Sequence, residues 1–187
     1  MLVKNTEEKL FDERRQAMKN MIIIEDKPWI TKAAILDLQK KSVNVSCIVY
    51  YPNKIGDPKK KEKLLNDFKE STGVPVETVN GQEQFVKTME KLYSQEHTVF
   101  LMDYDLMSDS QYPFDSRINI LYARHKEYED KNAAQEDRKI WFYTVSGISN
   151  VELLRKNFPG HQLSVTSYHD GLLKWNEEEL DKIVGVN

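Results

Sequence analysis

The sequence predicts an α/β fold, a three-layer αβα sandwich with a parallel sheet covered by helices on both faces. Three observations predict it. Short apolar runs rich in β-branched residues alternate with segments whose apolar residues recur at helical spacing, without an internal repeat or a low-complexity linker. The run Thr98–Met102, TVFLM, suits a strand buried on both faces. Acids close the strands: Glu25-Asp26 follow the first run and Asp103 follows Thr98–Met102. Right-handed crossovers would gather these strand ends on one rim, where open α/β sheets bind their ligands.

Taken in order, Met1–Asn20 is polar and charged, and Glu7–Met18 reads as a surface helix, so residues 1–19 are expected to form an N-terminal helical extension. Met21–Ile24 is the first strand, ending in Glu25-Asp26, and Pro28 suits the start of a helix over Ile30–Lys41. Val43–Tyr51 reads as a strand, Pro52–Pro58 as a loop and Lys59–Ser71 as a helix. Val74–Val79 is a short strand, Asn80-Gly81 a turn, and Glu83–Tyr93 a helix with Phe85, Val86, Met89 and Leu92 inward. After the central strand, Asp115–Glu129 reads as helix and Asp130–Arg138 as loop. Ile140–Tyr143 is a buried strand running into Thr144-Val145-Ser146-Gly147, and Asn150–Asn157 is a helix closed by Pro159-Gly160. Leu163–Thr166 is the last strand expected, followed by Leu172-Leu173-Lys174-Trp175 and a final helix over Asn176–Val184.

The 187 residues suit one domain. With 27 Lys and Arg against 30 Asp and Glu, the net charge of -3 gives no electrostatic footprint for nucleic acid. Cys47 is the single cysteine, which excludes a disulfide framework. No apolar run reaches membrane-spanning length and the start is too charged for a secretory signal, so a soluble, cytoplasmic protein is expected, without membrane insertion. His97, His125, His161 and His169 show no metal-ligand spacing, and there is no phosphate-binding glycine loop or dinucleotide fingerprint.

The rim then carries Glu25, Asp26, Asp103, Asp105, Thr144, Ser146 and Lys174. Singly, each has an ordinary structural use: a helix cap, a turn residue, an exposed lysine. Together they are chemically coherent. Clustered carboxylates need a cation, and hard oxygen ligands with room for water and phosphate suit Mg²⁺. A carboxylate is a nucleophile toward phosphorus, and a hydroxyl and an ammonium beside it receive phosphoryl oxygens.

With IIIEDKPW at the first strand, TVFLMDYDLM at the central one, IWFYTVSG at the hydroxyl strand and HDGLLKW at the lysine, the chain resembles the receiver domain of two-component response regulators. NGQEQF resembles the turn and helix before that family's acceptor strand, and the resemblance covers residues 20–187. It implies a flavodoxin-like parallel sheet of five strands in order 2-1-3-4-5, or six with an extra βα unit. It implies that Asp103 accepts a phosphoryl group, that Glu25, Asp26, Asp103 and the Asp105 backbone carbonyl hold Mg²⁺, and that Thr144 and Lys174 bind the phosphoryl oxygens. The partners implied are a histidine kinase or phosphotransfer protein as donor and an output protein. The chain departs from the family's pattern. Residues 43–73 lengthen the first half by about one βα unit, either as an insertion or with Val43–Tyr51 as the second strand. Met107 stands at a usual Pro, Val145 at a small residue (which leaves Ser146 as an alternative hydroxyl), Gly171 at the switch aromatic and Trp175 at the Pro after the lysine.

The leading expectation is a stand-alone receiver, a phosphoacceptor with at most self-dephosphorylation. The segment after the last strand, Asn176–Asn187, is too short for a DNA-binding module, so output is expected through a partner, a homodimer or the N-terminal extension. One alternative is a degenerate receiver acting as a phosphorylation-independent interaction module. The other is a phosphatase of the haloacid dehalogenase type, suggested by Asp103-Tyr104-Asp105, although that family places its aspartate pair on the first strand.

Overall fold

The computed structural model describes residues 20–52, 56–95, 98–104, 106, 122–123, 125–127, 130, 138–145 and 148–185. Among them, β1 (Asn20–Glu25), β2 (Asn44–Tyr50), β3 (Val76–Thr78), β4 (Thr98–Asp103) and β5 (Arg138–Tyr143) form one sheet in the order β3-β2-β1-β4-β5. Every pairing in it is parallel. The helices are α1 (Lys32–Lys40), entered through a 3₁₀ turn at Pro28–Thr31, α2 (Pro58–Thr72), α3 (Gln82–Tyr93), α4 (Ile148–Asn157) and α5 (Glu177–Val184). The fold is the expected flavodoxin-like αβα sandwich. The expected N-terminal extension, most of the Asp115–Glu129 helix and most of the Asp130–Arg138 loop lie outside the described residues.

The period of two along the strands builds two cores. Met21, Ile23, Val99, Leu101 and Tyr143 face one side, where Ile35 and Leu38 of α1, Phe68 of α2 and Leu180 and Ile183 of α5 cover them. Ile22, Ile24, Phe100, Met102 and Phe142 face the other, under Phe85, Met89 and Leu92 of α3 and Leu154 of α4. Because β1 and β4 are buried on both faces, they read as continuous apolar runs. Local signals set the helix ends. Asp57 accepts a hydrogen bond from the Lys59 N–H ahead of Pro58, and Gly73 closes α2 in the left-handed conformation with its N–H on the Lys69 carbonyl.

Two expectations change. Val43–Tyr51 supplies β2, which joins the sheet and pairs directly with β1. β3 lies at the edge beyond β2, so the order is 3-2-1-4-5 rather than 2-1-3-4-5. The expected last sheet strand, Leu163–Thr166, is replaced by an antiparallel hairpin of β6 (Val165–His169) and β7 (Leu172–Trp175). Asp170 and Gly171 both have positive φ, 53° and 75°, which is the two-residue turn that matches strand twist in a hairpin. Among the described residues, a single parallel bridge, Phe142 to Gln162, lies beside β5 where a further parallel strand would run. The hairpin packs Leu173 and Trp175 into the α1–α5 core instead.

Two substitutions test this packing. Ile23→Ala, at a fully buried position, should cost about 3 kcal/mol by urea unfolding through the cavity it leaves. Gly73→Ala, at φ 67°, should cost about 1 kcal/mol by the same measurement, because a Cβ strains a left-handed residue.

Candidate functional site

Strand register builds the site. β1 and β4 pair Ile24 with Met102, so the next residues, Glu25 and Asp103, end the two strands side by side. On the outer flanks, β2 aligns Tyr50 with Glu25 and β5 aligns Tyr143 with Asp103. Residues in register on a parallel sheet project to one face. The carboxyl edge therefore carries a transverse row, Tyr50, Glu25, Asp103, Tyr143, on the face of α1 and α5. The row is bracketed by two edge-to-face aromatic pairs, Trp29 with Tyr50 at 6.3 Å and Tyr143 with Trp175 at 5.4 Å between ring centroids. Between β1 and β4 the winding of the chain reverses, and ligands of open α/β sheets bind at such a switch point.

Asp26 joins the two strand-end acids from the turn after β1. One carboxylate oxygen from each of Glu25, Asp26 and Asp103 lies within 4.8 Å of the others. The three residues are 0%, 3% and 3% exposed. Both oxygens of Glu25 are held: Oε1 accepts the Lys27 backbone N–H at 3.0 Å and Oε2 accepts the Tyr143 hydroxyl at 2.5 Å. The Lys27 ammonium is 3.9 Å from Asp26 Oδ1 and half exposed.

Burial decides the electrostatics. Burial, followed by the charge of Asp26, pushes the Glu25 carboxyl up to about 8. A hydrogen bond with the Asp26 carboxyl acts in the same direction, and the Tyr143 and Lys27 donors oppose it without reversing it. Burial and the neighbouring Glu25 and Asp103 charges hold the Tyr143 phenol well above its ordinary value. Burial and the Asp26 charge also raise Tyr50. Such a set fits a hard divalent cation, since three buried carboxylate oxygens converge. Glu25, Asp26 and Asp103 are the residues that could hold it.

The structure thus brings Glu25, Asp26 and Asp103 together. Thr144, buried, directly follows β5 and lies one residue beyond Tyr143. Lys174 is placed elsewhere. Strand alternation on β7 turns Leu173 and Trp175 inward and Lys174 outward. Its ammonium pairs with Glu177 at 3.0 Å, in a groove lined also by Asp37 and Lys41. The Asp170-Gly171 turn causes this, because it reverses the chain before the lysine. Asp105 and Ser146 lie outside the described residues. Tyr143 is the site residue that sequence reasoning missed. Aligning the strand ends IIIE, FLMD and WFY in register would have put it opposite Asp103. A cleft of about 480 Å³ opens at the next strand ends, lined by Tyr50, Thr78, Pro58, Lys61 and Leu65.

Comparisons with protein-family models, curated proteins and solved structures find no match to this chain.

The raised Glu25 carboxyl sets a pH dependence. A carboxyl that titrates near 8 folded and near 4.5 unfolded binds more protons folded between those values, so stability falls as pH rises through that window. Without divalent cations, the melting temperature should drop as pH rises from 4.5 to about 8. Glu25→Gln should remove most of that slope, as measured by thermal unfolding across pH.

Proposed function

We propose that this protein is a receiver-like phosphoacceptor: Asp103 takes a phosphoryl group in a Mg²⁺-dependent manner and the signal passes on through protein contacts. The observation that carries this reading is the trio of buried carboxylates converging at the switch point between β1 and β4. An acid triad there is costly to fold and has no stabilising use that an apolar trio would not serve better. By the resemblance to receiver domains, Glu25 and Asp26 supply cation ligands and Asp103 supplies both a ligand and the nucleophile.

The chain's own residues divide the work. A carboxylate oxygen of Asp103 attacks phosphorus of a phosphohistidine or a small acyl phosphate. The new O–P bond forms as the P–N or P–O bond breaks, and the electron pair leaves with the imidazole or the carboxylate. Tyr143 and the Lys27 N–H hold Glu25, and helices on both sides exclude water from the strand ends. Bound Mg²⁺ would supply the positive charge that lets three carboxylates and a phosphoryl group share the space. Thr144 stands at the neighbouring strand end, and Lys27 places an ammonium beside Asp26. The donor would be a histidine kinase or phosphotransfer protein, and an output protein would read the modified rim.

A second reading is favoured by one observation. Lys174 turns outward into the groove beside α1 and pairs with Glu177, so the lysine contact of the receiver resemblance is not made there. On this reading the chain kept a receiver-like frame and works as a phosphorylation-independent interaction module.

Incubation with Mg²⁺ and a small phosphodonor, followed by intact-mass spectrometry, separates the two. The phosphoacceptor reading predicts a single phosphoryl adduct that is lost on chelation and in Asp103→Asn. A folded protein that stays unmodified, and whose partner binding survives Asp103→Asn, would support the interaction module.

A further inference from the structure

We propose that Tyr143 is a positioning residue for Glu25 and that it relays cation occupancy of the carboxylate cluster to Trp175 and the groove between α1 and α5. The proposal rests on the reading of Glu25, Asp26 and Asp103 as a cation site.

Tyr143 touches both ends of this route. Its hydroxyl donates to Glu25 Oε2 at 2.5 Å, and its ring meets the Trp175 indole edge to face at 5.4 Å. Glu25 and Tyr143 are fully buried and Trp175 is 2% exposed, so a shift in one ring must be taken up by its neighbours. With Oε1 on the Lys27 N–H and Oε2 on the phenol, the Glu25 carboxylate is oriented from both sides. Hydrogen bonds of this kind, one shell out from a metal, fix the orientation of its ligands.

Trp175 is built to respond. Its Nε1 is buried without a hydrogen-bond partner, so contacts alone hold the indole. Beside it the groove leaves about 40 Å³ of open space, lined by Ala34, Leu38, Lys41, Lys174 and Leu180 as well as Trp175. An indole held by contacts alone, with open space on one side, has room to shift when its neighbour moves. Drawing the Glu25 carboxylate toward a cation pulls the phenol with it and shifts the edge-to-face support of the indole. The change arrives where Lys174 pairs with Glu177 and Lys41 with Asp181, so occupancy at the rim rearranges charge on the outer surface of α1 and α5.

The test follows Trp175 alone. In a Trp29→Phe, Trp141→Phe background, Mg²⁺ should change Trp175 emission with the midpoint that calorimetry gives for Mg²⁺ binding. Tyr143→Phe keeps the ring and removes the hydroxyl. It should weaken Mg²⁺ binding about 10- to 100-fold and abolish the emission change even at saturating Mg²⁺, whereas Tyr50→Phe should match its parent in both. Thermal unfolding confirms that each variant is folded, and fluorine NMR of the 5-fluorotryptophan-labelled parent chain reads the same motion without the background substitutions. A Tyr143→Phe affinity within about twofold of the parent, below the range for loss of such a hydrogen bond, would overturn the relay and leave the cation site standing. A surviving Trp175 response, or an equal loss in Tyr50→Phe, would do the same. If the parent binds no Mg²⁺ by calorimetry, both the relay and the cation site fall.

Discussion

Three carboxylates confined among apolar strand ends constrain the rest of this structure. Glu25, Asp26 and Asp103 are as buried as the isoleucines behind them, and like charges buried together repel strongly. The molecule answers with donors rather than with distance: a backbone N–H and a phenol on Glu25, and an ammonium near Asp26. These offset part of the cost, as the raised Glu25 carboxyl shows. The remaining cost is what makes the site receptive to a cation, and the apolar sheet beneath keeps the three groups from moving apart.

The sheet order serves the same end. Only neighbouring strands can align Glu25 with Asp103, and β1 and β4 are neighbours because β2 and β3 wind outward on one side and β5 lies on the other. The edge strand β3 leaves this arrangement untouched. A one-residue slip of β4 against β1 would move Asp103 to the opposite face, so the two-sided apolar burial of these strands fixes the site's chemistry as well as its stability.

Much of this was legible in the chain. Apolar runs of strand length ending in acids marked β1 and β4, and the helices announced themselves by the spacing of their apolar residues. The carboxylate trio follows once the strands are parallel. The hairpin was harder. Asp170-Gly171 carries the sequence signal of a tight reversal, but matching HDGLLKW to the receiver lysine motif drew attention to Lys174 and away from the turn. Tyr143 escaped for a related reason. The receiver pattern emphasises the hydroxyl residue Thr144, whereas register and pleat make the preceding tyrosine the neighbour of Asp103. Edge order also stayed hidden, because a three-residue strand such as β3 has too little pattern to declare which side of the sheet it joins.

The pairing of β1 with β4 has a consequence for how the protein assembles. The strands that frame the carboxylates are far apart in the chain, with two βα units between them, whereas β6 and β7 meet across a two-residue turn. Closing the longer loop costs more chain entropy and comes with the non-local contacts that slow folding. Asp103 thus stays hydrated and well separated from Glu25 and Asp26 while the chain is still searching. They become crowded only as the central strands dock, which makes the electrostatic cost of the rim a late step in folding rather than an obstacle to its start.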